Sequence, residues 1–267
     1  MSLRKSLRLS RRHAAQTSAN VPHGFKRPEN IGDREYEHFV ENYLPILSHR
    51  SNRWVEEGLA DAHTPPETWL EARKLKRFMR KGVPKELRPH IWLMCTGAQS
   101  MMEKHPDLFA QYVARSECNA TAVNAIQLDL NRTFPDNRFF QNARGTMNKH
   151  HLDMVLRAVA SKYPQIGYCQ GLNQVAALML ILLESPDKAF WLLDCNLRYM
   201  RDYYRSDMAG LKMEIYVLTQ LLKQKHNDIY RAMLRYDVDL LLVSSKWFIC
   251  WFLDVLPIEQ CDAVIRQ

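Results

Sequence analysis

The chain has 267 residues, 46% of them hydrophobic and 25% charged, with a formal net charge of +8. That is ordinary globular composition with enough apolar residues for a sizeable core. The longest unbroken apolar run, Val175 to Leu183, is nine residues, against the ~20 a membrane-spanning helix needs, so no transmembrane segment is expected.

In chain order, residues 1–30 come first. They hold seven Lys or Arg against one acid, Glu29, which leaves only two of the eight surplus charges for the rest of the chain. The basicity is therefore that of an arm, not of a nucleic-acid-binding face, which would need clustered cations with stacking aromatics on the folded domain. The stretch "MSLRKSLRLSRRHAAQTSAN" is serine-rich and free of acids, the composition of a disordered arm that touches anionic membrane weakly at most. A mitochondrial presequence has the same composition and stays open as the alternative.

From Glu35 the pattern changes. Tyr36, Phe39, Val40 and Tyr43 recur at helical spacing and predict a short helical extension over 31–78, interrupted by the proline-marked linker "LADAHTPPETW". Beyond it the stripes Leu152, Val155, Leu156, Val159 and Ile215, Leu218, Leu222 are the buried faces of amphipathic helices. Nine glycines, no strict apolar/polar alternation and no Asn-Gly or Asp-Gly turn argue against strands and hairpins. The predicted fold class is all-α, an irregular multi-helix domain over 79–267.

Several chemistries have no support. There is no phosphate-cradling glycine loop, no dinucleotide fingerprint, no His-Glu-x-x-His and no Cys-x-x-Cys among the six cysteines. No metal site and no cofactor of its own are expected, and the cysteines read as reduced thiols of an intracellular chain.

Two stretches could carry chemistry. In "AIQLDLNRTFPDN", residues 125–137, Ile126, Asp129 and Arg132 share a helix face, and Phe134 before Pro135 should end the helix near Arg132 or Thr133. On spacing alone this is an arginine tied to its neighbour at a helix C-terminus, where a cation suits the dipole. In "YPQIGYCQGLNQVAALMLILL", residues 163–183, Tyr168, Cys169 and Gln170 fall at a loop-to-helix junction. Free backbone N–H groups there favour a phosphate, and a glutamine holds a water by donating and accepting at once. Gln170 as a plain helix cap is the competing reading. Taken together, an outward-projecting arginine and a water-holding glutamine are the two side chains that assist phosphoryl transfer.

"IQLDLNR" and "YCQGLN" resemble the Ile-x-x-Asp-x-x-Arg and Tyr-x-Gln motifs of TBC-domain Rab GTPase-activating proteins. "KGVPKELRPHIW" (Gly82, Pro84, Leu87, Arg88, Trp92) is similar to that family's opening motif, and "SSKWFICWFLDVLP" (244–257) to its later Trp-Phe segment. The resemblance implies a TBC-type domain over 79–267 whose C-terminal part is missing, with helices left exposing faces that further helices would cover. It implies a Rab-family small GTPase in its GTP form as partner, with GTP and Mg2+ bound by that partner, and a cytoplasmic location, peripheral at endomembranes. Arg132 would act as an arginine finger and Gln170 as a glutamine finger, with Asp129 aiming Arg132, Tyr168 packing so that Gln170 points outward, and Asn173 capping the following helix. A non-catalytic Rab-binding or scaffold module and a membrane-peripheral adaptor are the alternatives.

Overall fold

The structure is a computed structural model that describes residues 22–26, 31–59, 72–116, 119–253 and 255–256. The linker 60–71 and most of the basic arm lie outside the described residues. Within them there are thirteen α-helices and no β-strand, the all-α class predicted from the glycine-poor, helix-period sequence.

The extension is α1 (Asp33–Glu56) and α2 (Ala72–Lys81); then come α3 (Arg88–Cys95), α4 (Ala98–Lys104) and α5 (Leu108–Arg115). The site is carried by α6 (Ala120–Leu130), α7 (Arg138–Gln141), α8 (Gly145–Lys162) and α9 (Leu172–Leu183). They are followed by α10 (Pro186–Tyr204), α11 (Ala209–Lys225), α12 (Asn227–Arg235) and α13 (Leu240–Ile249).

The starts of these helices follow local chemistry. Asn119 accepts from the Ala122 amide to begin α6, Asn137 from Phe139 to begin α7, and Asp239 from Leu241 to begin α13, each side chain satisfying an amide that the first turn leaves unpaired. Ser185 with Pro186 begins α10 the same way.

Helix α9 is the axis of the domain. It packs against α3, α6, α8 and α10, and the whole run Val175–Leu183 is buried apart from Leu182. A helix apolar on all sides belongs inside, which is why the nine-residue run signals a core element. The α8 stripe meets it: Leu152, Val155, Leu156 and Val159 are all at most 1% exposed, each contributing about 1.5–3 kcal/mol by leaving water. From α10, Phe190, Trp191, Leu193 and Leu197 close the other side. There the Asp194 carboxylate, fully buried, accepts from the Tyr163 hydroxyl at 2.7 Å and pairs with Lys162 at 2.6 Å and Arg198 at 2.8 Å. A buried charge persists only when paired and hydrogen-bonded in this way.

In α1 the predicted face is helical, but Tyr36, Phe39 and Tyr43 stack along one another while partly exposed. The buried anchors are Ser51 and Trp54, two turns later. The Trp54 indole donates to the Gly82 carbonyl at 3.1 Å, which fixes the extension to the start of the domain.

Residues 22–26, at the end of the expected arm, have a defined place: a 3-10 turn, Pro22–Gly24, lies against α7. Phe25 and Gly24 supply an apolar ring and a left-handed turn, unlike the serine-rich, basic residues before them.

Candidate functional site

The α6 helix stops at Leu130, two residues short of the expected end. The following residues turn away: the Thr133 hydroxyl donates to the Asp129 carbonyl at 2.6 Å, and Phe134 enters the left-handed region with φ 43°. Arg132 therefore stands in the turn after the helix, its side chain 59% exposed, while the Asp129 side chain that it contacts is 3% exposed.

Asp129 divides its carboxylate. Oδ1 accepts from Arg132 Nε at 2.5 Å, and Oδ2 accepts from the Tyr168 hydroxyl at 2.6 Å. Burial, then that carboxylate, push the Tyr168 phenol well above its ordinary value, so it stays a donor. Arg132 and Tyr168 thus meet on the one Asp129 carboxylate.

A parallel link lies beside it. Asn173 Nδ2 donates to Thr133 Oγ1 at 2.8 Å, and Asn173 Oδ1 accepts from the Gly171 amide at 2.9 Å. Asn173 is thus no cap of the type expected from its position: Gly171 occupies the N-cap of α9 without a side-chain bond, and Asn173, in the first turn, ties the junction back to the arginine loop. Two connections, Tyr168–Asp129 and Asn173–Thr133, hold the two motifs together. All of their polar groups but the guanidinium are buried or half-buried, where a satisfied hydrogen bond rigidifies most.

The junction differs from expectation in another way. The Gly171 amide is taken by Asn173 and the Leu172 amide by the Cys169 carbonyl, so these donors do not form a phosphate cradle. Gln170 is exposed and caps nothing: among the described residues its side-chain amide has no hydrogen-bond partner. Burial pushes the neighbouring Cys169 thiol up, which keeps it protonated rather than nucleophilic.

Gly171 is a required glycine. Its φ is +109°, and a Cβ would collide with Ile249 Cγ2 and lie 3.2 Å from Cys250 Sγ. The end of α13 therefore presses against the junction that presents Gln170. It is held there by the Tyr204 hydroxyl, which donates to the Ile249 carbonyl at 2.9 Å and accepts from the Trp251 indole at 3.0 Å. This gives the 244–257 motif a physical role as a buttress. Arg88 and Trp92 of the opening motif are buried scaffold, and Trp247 is half-buried.

Arg132 and Gln170 do not line the groove of about 630 Å3 whose walls include His23, Lys85, Arg88 and Arg138. Both side chains are exposed instead. Sequence reasoning missed Thr133, now 1% exposed and central to the link. It also missed residues 22–26, whose partners include Asp136 and Asn137, more than a hundred positions away.

Comparison with known proteins identifies the family. The Rab-GTPase-TBC domain family matches residues 85–265. Growth hormone-regulated TBC protein 1 of Homo sapiens is 38% identical over 239 residues, covering 89% of this chain and 69% of that protein. The Danio rerio growth hormone-regulated TBC protein 1-A is 34% identical, covering 94% and 70%. Among solved structures, the Chlamydomonas flagellar RabGAP TBC domain superposes with a TM-score of 0.68 at 24% identity, over 93% of this chain and 81% of that one. The Ypt/Rab-GAP domain of Gyp1p does so at 0.66 and 18%, over 82% and 80%. These two likenesses are of fold; no described helix is long and apolar enough to cross a membrane. On the sequence match across two thirds of its length, this chain belongs to the Rab-GTPase-TBC domain family.

Proposed function

We propose that the chain accelerates GTP hydrolysis by a Rab-family small GTPase, supplying Arg132 and Gln170 in trans. The observation that carries this reading is the shared support of the two side chains. An exposed arginine and an exposed, unpartnered glutamine from separate motifs are tied into one rigid unit through Asp129, Tyr168, Thr133 and Asn173.

In this reading the partner binds GTP and Mg2+, and the chain is a regulator of hydrolysis rather than a hydrolase. Phosphoryl transfer asks little covalent chemistry of the protein and much positioning and charge. Asp129 engages Arg132 through Nε and one terminal nitrogen, which leaves the other terminal nitrogen to meet charge developing on the transferred phosphoryl group. The carboxylate fixes the guanidinium plane in advance, so little order is lost when the transition state forms. Gln170 orients the attacking water by accepting one of its protons and donating to its oxygen.

The test is single-turnover GTP hydrolysis across a panel of Rab proteins, with the chain and with its Arg132→Ala and Gln170→Ala forms. Acceleration by the intact chain that falls by about 10³ or more without Arg132, and also collapses without Gln170, is the expected result. Acceleration indifferent to either side chain would refute the mechanism.

A further inference from the structure

The loop that presents Arg132 is anchored at its start through Thr133 and Asn173 and farther on by Gln141, whose Nε2 donates to the Pro135 carbonyl at 2.7 Å. Its later half contains a conformation that needs outside support. Phe134 sits at φ 43°, a strained region for a bulky residue, and such residues persist where their surroundings over-determine them.

Phe134 packs against the main core, and residues 23–26 add a second support. The Phe25 ring meets the Phe134 ring edge-on, with centroids 5.0 Å apart and planes at 78°, a favoured aromatic geometry. Asn137 Nδ2 donates to the His23 carbonyl at 3.1 Å while its Oδ1 starts α7 through the Phe139 amide at 2.9 Å. Lys26 pairs with Asp136 at 2.8 Å, an exposed pair of small weight. The approach is close: a Cβ on Gly24, at φ +77°, would lie 3.1 Å from Asn137 Oδ1 and 3.2 Å from Arg138 Cβ. Residues 23–26 lie outside the family match, which begins at residue 85, whereas their partners at 134–138 lie within it.

We propose that His23–Lys26 is a positioning element for the Arg132 loop, with Phe25 as its central positioning residue, acting through Phe134 and Asn137. The inference rests on the proposed role of Arg132. Phe25 touches no reacting group; it holds the far side of the turn so that the arginine is presented in one geometry. Misplacing a catalytic group by about 1 Å costs on the order of 10²-fold, and a loosened loop spends part of its time misplaced.

The test uses the full chain, its Phe25→Ala and Phe25→Leu forms, and a Rab that responds to it. Phe25→Ala should lower kcat by roughly tenfold to a hundredfold with the Rab concentration for half-maximal stimulation unchanged, and Phe25→Leu should recover most of it. Combined with Gln170→Ala the Phe25→Ala factor should persist in full; combined with Arg132→Ala it should vanish, because the loop then presents nothing. A change confined to the half-maximal concentration, or full additivity with Arg132→Ala, would overturn the proposal.

Hydrogen exchange separates this from failure of the function itself. In Phe25→Ala the Asn137 amide, bonded to the Phe134 carbonyl at 3.0 Å, should exchange faster while amides within α9 keep their protection. Should no Rab respond to the intact chain, the functional reading fails and exchange alone decides the packing. Unchanged exchange at 131–137 would overturn the positioning role whatever the hydrolysis assay gives.

Discussion

The helices around α9 and the last three helices bury their apolar residues very differently. In α9, ten of twelve residues are buried, and the Asp129 and Asp194 networks reach it or its neighbours from two sides. In α11–α13 only Leu211, Ile215, Leu240 and Ser244 are buried, and α12 buries nothing. Instead Leu242 is 82% exposed, Tyr236 72%, Leu234 64% and Met213 62%. Apolar exposure on this scale across neighbouring helices marks a face that another surface covers or that invites association. The proposed fingers stand on the first region, where geometry is over-determined. The second meets the site where Ile249 lies against Gly171. Support for the proposed site thus comes mainly from α6, α9 and the loops beside them, with the end of α13 as a wedge.

This comparison can be broken or sharpened by substitution. The largest stability effect should follow Asp194→Ala, which strands Lys162 and Arg198 beside a buried Tyr163 hydroxyl; about 3–5 kcal/mol is expected, read as a fall in denaturation midpoint. Gly171→Ala should cost about 1–3 kcal/mol from its positive φ, and more if Ile249 does not yield. It should also depress any Gln170-dependent stimulation, and an unchanged midpoint would mean that the wedge is not rigid.

Tyr168→Phe leaves one oxygen of the buried Asp129 without its donor, for about 1–3 kcal/mol. Its pH signature has a definite sign. Because the folded state raises the phenol above the ordinary 10.0, its contribution is fully present below pH 10 and is lost as pH rises beyond it. Tyr168→Phe should therefore lower stability at pH 7 and blunt the loss above pH 10 in a chemical-denaturation series. The smallest effect belongs to the last helices: Leu242→Ser should change monomer stability by no more than about 0.5 kcal/mol, yet reduce concentration-dependent association in sedimentation. A large destabilisation would mean that the α11–α13 face is packed in solution.

What could be read in advance was local. The α8 stripe is a periodic feature within one helix and is buried as expected; Asp129 and Arg132 pair as their spacing suggests, although Arg132 stands in the turn beyond the helix. The α6 helix ends two to three residues before the position that Pro135 suggests, where the Thr133 hydroxyl folds back onto the Asp129 carbonyl, a bond that propensity does not register. Asn173 was read as a cap because its partner, Thr133, lies forty residues away. The same holds for Tyr168 on Asp129 and for Phe25 on Phe134: each pairing is set by tertiary packing, and neither neighbour leaves a mark in the other's local sequence. The composition of the basic arm likewise concealed its last residues, where one phenylalanine and one glycine outweigh the charge around them.

The central claim is that Arg132 acts in the transition state, held ready by Asp129. The most direct measurement is the affinity of the chain and of Arg132→Ala for a responsive Rab in two forms: loaded with a non-hydrolysable GTP analogue, and loaded with GDP and aluminium fluoride, which mimics the transferring phosphoryl group. An interaction realised only in the transition state predicts that Arg132→Ala leaves the first affinity nearly unchanged and abolishes the gain seen with the second. Equal losses in both forms, or no gain with aluminium fluoride in the intact chain, would contradict it.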